Sequence, residues 1–408
     1  MQRNLISRLA IAAFAITASV NLACGQAEPL RIGAINPFSG PLALYGDEVA
    51  RGYQLAIDEA NAKGGVIGRK IELLRGDASS PPQGIAAVDK MAGQDKVEVF
   101  VGTYISAVSN AASDAALRYS RIYWDTNALA GDLTERGLTN FIRSGPYADS
   151  FAEVSVAATK DLLAPALKKD IKDLKVWIEH EDSIFGTSIA EQQKKLIEKM
   201  GGKVVGLGAH NFRAIDLTDS ILRAKATEPD VWIETGYVPD GSLLLRTMRD
   251  QGFKPPAIMM AATGDTFETL DALGKEYLEG ITVVGYPRPD QTEAYGPGAA
   301  AYLAAYKRKY DREPIAPQGM TAYVGMQMLL EAITAAGGTD MEKVRAAAAK
   351  MDKPLNSYAT GFGAKFDAKF QNTRAFPTVV QWQSGKVVTV YPKDAAQPNV
   401  KLVNVPRK

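Results

Sequence analysis

From Leu30 onward the chain alternates between short apolar runs and longer amphipathic stretches. Leu30-Arg-Ile-Gly-Ala-Ile reads as a strand ending in the turn Asn36-Pro-Phe-Ser-Gly-Pro41. Val49, Tyr53, Ala56, Ile57 and Ala60 then recur at the spacing of one helix face, and Lys63-Gly64-Gly65 stops that helix. Strands over 70–75, 97–102 and 121–125 alternate with helices over 84–93 and about 109–120. The pattern then runs a second time. Helices are expected over about 150–167, 187–200, 216–226 and 241–251, and strands over 174–179, 203–208, 231–234, 257–261 and 279–285. Strand and helix alternating across short loops is the signature of βαβ units in a parallel sheet, and two consecutive runs of it predict two α/β lobes. The tail breaks the pattern. Helices over 297–310 and 318–336 precede two apolar stretches, 358–366 and 376–390, which read as a closing hairpin with the turn Ser384-Gly385-Lys386. A chain that returns to complete each lobe in turn crosses between them several times and so builds a hinge.

Before Leu30, Arg3 and Arg8 lead into an apolar run from Leu9 to Val20. At about 1.5 Å per residue it is too short for a hydrocarbon core of about 30 Å. A charged start, a short apolar middle and a small-residue exit at Gly25-Gln26-Ala27 instead read as a secretory signal peptide over 1–27. Cys24 stands where a lipoprotein cysteine would, although Asn21 is a poor residue for such a motif. A periplasmic location, free or lipid-anchored through Cys24, is the expectation.

Composition narrows the function by exclusion. The 408 residues carry 47 Lys+Arg against 46 Asp+Glu, which leaves no basic stripe for nucleic acid. One Cys rules out a disulfide framework, and two His leave little for a metal or haem site. No phosphate-binding loop, nucleophile elbow or H-E-x-x-H motif is present. His180 and His210, without a nearby Cys, read as surface or hydrogen-bonded loop histidines rather than catalytic or metal-ligating ones. No cofactor, metal or catalytic residue is expected. The polar and aromatic residues cluster instead at strand ends: Asn36-Pro-Phe-Ser-Gly, Gly102-Thr-Tyr-Ile-Ser106, Asn127-Ala-Leu-Ala, Glu179 to Gly186, Glu234-Thr-Gly-Tyr237, Ala262-Thr-Gly-Asp265 and Gly285-Tyr-Pro-Arg288. In open α/β sheets ligands bind beyond the carboxyl ends of the strands. A cleft there would grip a small polar molecule with backbone N–H groups and hold it between rings.

Specific motifs join this pattern: Pro37-Phe-Ser-Gly-Pro41 with Tyr45-Gly46, Gly52 with Ile57-Asp58-Glu59 and Gly65, Gly102-Thr-Tyr-Ile-Ser106, Phe185-Gly186, and the closing Gly361-Phe-Gly-Ala-Lys-Phe-Asp367 with Trp382. From about Leu30 to Pro392 the chain resembles the leucine/isoleucine/valine-binding (branched-chain amino acid) class of periplasmic substrate-binding proteins of ABC transporters. The resemblance implies the type I periplasmic-binding-protein fold, two doubly wound parallel-sheet lobes joined by a multi-strand hinge. The lobes are expected over 28–145 plus about 287–354, and over 146–286 plus about 355–408. It implies a monomer that closes over a small-molecule ligand and presents it to a membrane-embedded ABC permease. On the family pattern Ser106 holds the ligand carboxylate, Tyr104 lies beside it, and Asn127, Ala128 and Leu129 form the next loop. Phe185 and Tyr237 would close from the second lobe, and Thr263 or Asp265 falls near the acidic residue that pairs with an α-ammonium. Leu129 stands where amino-acid binders place a threonine hydroxyl, and a leucine side chain gives an ammonium no acceptor. Asp265, Asp182 or Glu234 could supply a carboxylate instead. The aromatics Phe38, Tyr45, Tyr104, Phe185, Tyr237 and Tyr286 fit a flat or apolar ligand, so an amino acid and an aromatic or other organic acid both stay open. Two alternatives remain: a ligand-sensing binding protein for amides or aromatic acids, and a small-molecule hydrolase using Asp182, Glu234 and His180.

Overall fold

A computed structural model describes residues 27–407, so the expected signal peptide up to Gln26, with Cys24, lies outside the described residues. The first run of elements is β1 (Leu30–Asn36), α1 (Ala43–Ala62), β2 (Ile71–Asp77), α2 (Pro81–Gly93), β3 (Val99–Gly102), α3 (Ser106–Arg118), β4 (Ile122–Asp125) and β5 (Phe141–Arg143). Its five strands form a parallel sheet in the order β2-β1-β3-β4-β5. The second run opens with α4 (Ala148–Ala158), which passes through a π-helical turn (Thr159–Leu163) into α5 (Ala164–Ala166). It continues through β6 (Lys175–Glu181), α6 (Ile184–Lys199), β7 (Lys203–His210), α7 (Thr218–Ala226), β8 (Val231–Thr235), α8 (Val238–Asp250), β9 (Ala257–Ala261), α9 (Phe267–Leu273), α10 (Lys275–Leu278) and β10 (Thr282–Gly285).

The tail supplies α11 (Ala299–Tyr310), α12 (Gln318–Ala336), α13 (Met341–Ala349), a two-residue pair β11 (Asp352–Lys353) and β12 (Ala364–Lys365), and the hairpin β13 (Thr378–Gln383) and β14 (Lys386–Tyr391). The hairpin joins β10 antiparallel and completes a seven-stranded sheet, β14-β13-β10-β9-β8-β6-β7. The second lobe is therefore mixed at one edge and parallel elsewhere. The closing hairpin is narrower than the sequence suggests. The stretch 358–366 is not its partner strand, because Tyr358, Phe362 and Phe366 bury their rings in the core of the first lobe together with Phe370 and Ala375. We therefore place the third crossing between the lobes at Ala375–Thr378 rather than near 355.

Alternation within the strands shows why they form buried sheets. Ile32, Val99, Val101, Ile122, Trp124 and Ile142 face one core, while Ile35, Phe100, Tyr123 and Phe141, at the positions between, face another. In the second sheet Val176, Ile178, Val231, Ile233 and Met259 point one way and Trp177, Trp232, Ile258 and Met260 the other. Apolar residues on both faces mean helices on both faces, the doubly wound arrangement. On the outer face of the first sheet α1 lies against α12, and the approach is close. A Cβ on Gly52 would stand 1.9 Å from the Gly319 carbonyl oxygen. Because α12 comes after strands β6 to β10 of the second lobe, the first lobe is assembled from segments on both sides of them.

Candidate ligand-binding site

The carboxyl ends of both sheets face each other across a cleft. From the first lobe come Tyr104, Asn127 and Leu129, in the loops after β3 and β4. From the second come Phe185 at the start of α6, and Tyr237, Ala262 and Tyr286 after β8, β9 and β10. Together they enclose a cavity of only about 10 Å³. Rings meet across it. Tyr104 stacks on Tyr45 at 4.5 Å and meets Tyr237 edge-on at 5.6 Å, and Tyr237 packs against Phe185 at 5.1 Å and Phe212 at 5.0 Å. The Tyr286 hydroxyl donates to the Asn127 carbonyl, and the Gly131 N–H donates to the Ser188 hydroxyl at 3.3 Å. The lobes are in contact, and the space enclosed between them is smaller than a substituted benzene ring.

Behind the first-lobe wall lies a polar support. Ser106 is the first residue of α3, and its hydroxyl oxygen accepts the N–H groups of Leu129 at 3.2 Å and Ala130 at 3.1 Å. Both acceptor positions of the hydroxyl are thus in use, and its proton is left to donate. The Asn127 and Ala128 N–H groups are already taken by Asp125, at 3.1 and 2.9 Å. The guanidinium of Arg143, fully buried at the end of β5, donates to the carbonyls of Ala128 at 3.1 Å and Ala130 at 2.7 Å, and its Nε–H donates to Gln371. This loop is therefore held from below by one acid, one base and one hydroxyl.

Burial pushes the Asp125 carboxyl up to about 7, against the lowering pull of the Ser109 hydroxyl and the Arg143 charge. The folded protein then holds the proton more tightly than the unfolded chain, whose carboxyl titrates near 4. The stability this confers is complete below about pH 4 and is lost as pH rises through about 7. Asp125→Asn keeps an acceptor for the two N–H groups but cannot titrate. We expect thermal unfolding of the wild type to fall more steeply than that of the variant between pH 4 and pH 8. Parallel curves would remove Asp125 from this role.

The structure brings five of the nine residues expected from sequence to the cavity wall: Tyr104, Asn127, Leu129, Phe185 and Tyr237. Ser106 and Ala128 lie in the supporting layer. Thr263 is buried beside Gly241 with its hydroxyl unpaired, and Asp265 forms an ion pair with Arg288 at 3.1 Å. Asp265 borders a separate cavity of about 430 Å³ with Phe267, Arg288 and Trp382. Phe38 is also elsewhere, under the Arg75 guanidinium. Sequence reasoning did not single out Ala262, Phe212, Asp125 or Arg143. An arginine inside the apolar strand Phe141-Ile-Arg143 was the available signal for the last. The two histidines lie on strands and are buried, not on surface loops. His180 Nδ1 contacts the Glu181 carbonyl at 2.8 Å. Burial works against a charge on His210, but its hydrogen bonds to Asp240 and Glu179 prevail and hold its proton well above the usual histidine range.

Comparison with known proteins agrees with this architecture. The sequence profile described as periplasmic binding protein matches residues 29–386. Leu/Ile/Val-binding protein homolog 7 of Brucella suis is 36% identical over 403 residues, covering 98% of this chain and 100% of that protein. The chain belongs to the Leu/Ile/Val-type family of periplasmic binding proteins. Homolog 8 of Brucella abortus is 35% identical over 393 residues, 96% of this chain and 98% of that one. The type I fold of this binding protein is shared with solved structures. The branched-chain amino acid transporter substrate-binding protein of Streptococcus pneumoniae, in complex with isoleucine, superposes with a TM-score of 0.75 at 22% identity, covering 89% of this chain and 100% of that one. A solute-binding protein of an ABC transporter from Rhodopseudomonas palustris, in complex with p-hydroxybenzoic acid, gives 0.77 at 21%, covering 91% and 98%. Among the described residues of this binding protein no helix is long and apolar enough to cross a membrane.

Proposed function

We propose that this periplasmic binding protein captures a small carboxylate-bearing solute between its lobes and delivers it, chemically unchanged, to an ABC permease. Periplasmic residence, whether free after cleavage or tethered through Cys24, belongs to the same reading, as does action as a monomer. The carboxylate would sit at the start of α3, accepting hydrogen bonds from the Ser106 O–H and from the N–H groups of Leu129 and Ala130 as Ser106 turns toward it. The body of the solute would lie between Tyr104 and Tyr237. Closure follows because only the closed state gains contacts from both lobes.

The observation that carries the reading is a wall without a charged side chain, beside a cluster of N–H and O–H donors. It favours an aromatic or other apolar acid over an amino acid. An ammonium buried there would meet no carboxylate, since Leu129 offers no acceptor and Asp265 is committed to Arg288. The second reading, a branched-chain amino acid, rests on the names of the Brucella relatives. Isothermal titration against benzoates, phenylacetate, leucine, isoleucine and valine decides between them. Micromolar binding of an aromatic acid without leucine binding supports the first reading, and the reverse overturns it. Ser106→Ala is expected to weaken binding of the preferred acid by about 1–3 kcal/mol. An unchanged affinity would take Ser106 out of the site.

A further inference from the structure

A second polar constellation lies in the interior of the second lobe, under the turn that carries Tyr237. It draws on β6, β7, β8 and the first turn of α8. His210, at the end of β7, turns Nδ1 toward Glu179 Oε1 at 3.2 Å and Nε2 toward Asp240 Oδ2 at 3.0 Å. The other oxygen of Glu179 accepts the Trp177 indole N–H at 3.0 Å, which fixes that carboxylate in place. Asp240 also accepts the Tyr237 N–H through Oδ1 at 3.0 Å. Glu234, at the end of β8, is fully buried, and neither of its oxygens has a hydrogen-bond partner. One donor atom each from His210, Glu234 and Asp240 lie within 4.8 Å of one another. Gly236 leaves room for this convergence, because a Cβ there would stand 2.3 Å from both Asp240 Oδ2 and Glu234 Oε1.

With Nδ1 turned to Glu179, Nε2 faces a carboxylate oxygen of Asp240 at 3.0 Å. A proton or a cation can bridge that contact. A proton on Nε2 would join His210 to Asp240 but leave both oxygens of Glu234 stranded in the interior, where an unmet carboxyl is costly. A divalent cation would engage all three donors at once. The Glu179–His210 contact is the carboxylate–histidine support that orients metal-bound imidazoles.

We propose that His210 Nε2, Asp240 and Glu234 form a buried divalent-cation site, with Glu179 as the positioning residue of the imidazole. One imidazole with two carboxylates suits a borderline ion such as Zn²⁺. Donor atoms around such an ion stand about 3.4 Å apart, so small side-chain adjustments within the present spread complete the set. The ion would fasten β7, β8 and the start of α8 together and so stiffen the Tyr237 turn. This site is separate from the solute cleft and holds or fails independently of the solute's identity.

The test uses the untagged full-length secreted protein, unfolded in chelator and refolded with or without Zn²⁺. We expect one zinc per chain by elemental analysis after gel filtration, and a thermal midpoint about 5 °C higher with the ion. Glu234→Gln should fold, bind no zinc and show no such shift, and His210→Gln should behave likewise. No zinc in the refolded wild type overturns the proposal and leaves a protonated network. Zinc retained at full stoichiometry in Glu234→Gln also overturns it, since the ion would then lie elsewhere.

Discussion

Tyr237→Ala is expected to be the most damaging single change in the cleft. The ring touches Tyr104 from the opposite lobe and both Phe185 and Phe212 from its own, and it is buried at 3% exposure. Removing a buried aromatic ring costs about 3–5 kcal/mol where neighbours cannot collapse into the space. Part of that loss should appear in unfolding by urea and part in solute affinity, which we expect to fall by at least about 2 kcal/mol. Tyr237→Phe retains the ring contacts and should lose far less on both measures. Wild-type affinity in the alanine variant, measured by titration, would show that the ring does not face the solute.

The second large effect concerns a residue that never reaches the cleft. Arg143→Met should lower stability by about 3–5 kcal/mol, because it leaves the Ala128 and Ala130 carbonyls and the Gln371 amide without their shared donor. The same loop presents the Leu129 and Ala130 N–H groups, so solute affinity should fall as well. Arg143→Lys is expected to rescue little. A single ammonium cannot span three acceptors that a planar guanidinium meets at once. A methionine variant as stable as the wild type in urea titration would contradict this account of the loop.

The sequence revealed most of the fold because both sheets are buried on both faces. Strands such as Val99–Gly102 and Val231–Thr235 are buried throughout and open on apolar runs, and glycines follow or end them, so they stand out from the amphipathic helices. Where the reading failed, the cause was contact over long chain distances. Tyr358–Phe366 has strand-like composition, yet its rings are spent on the first lobe. Helix α13 escaped notice because only Val344 and Ala348 are buried along it. In the cleft, the aromatic residues were legible because they stand just past strand ends. Asp265 was not, because its partner Arg288 lies 23 residues further on and pairing at that range leaves no local signal. His210 misled for the same reason, since Glu179 and Asp240 come from other elements, about 30 positions away on either side.

The seat of α12 against α1 bears on how this polypeptide reaches its native state. Val49, Tyr53 and Ile57 find their cover in Met320, Val324 and other residues made only after strands β6 to β10 of the second lobe have been synthesised. An amino-terminal piece ending at Arg143 would display that apolar stripe to water, with its five strands incompletely shielded. The two lobes therefore cannot be acquired one after the other as the ribosome proceeds, and the late carboxyl-terminal helices act as the keystone for the earliest strands. Contacts of such high sequence separation slow folding and leave time for a chaperone, or a translocating channel, to engage the chain while it is still open.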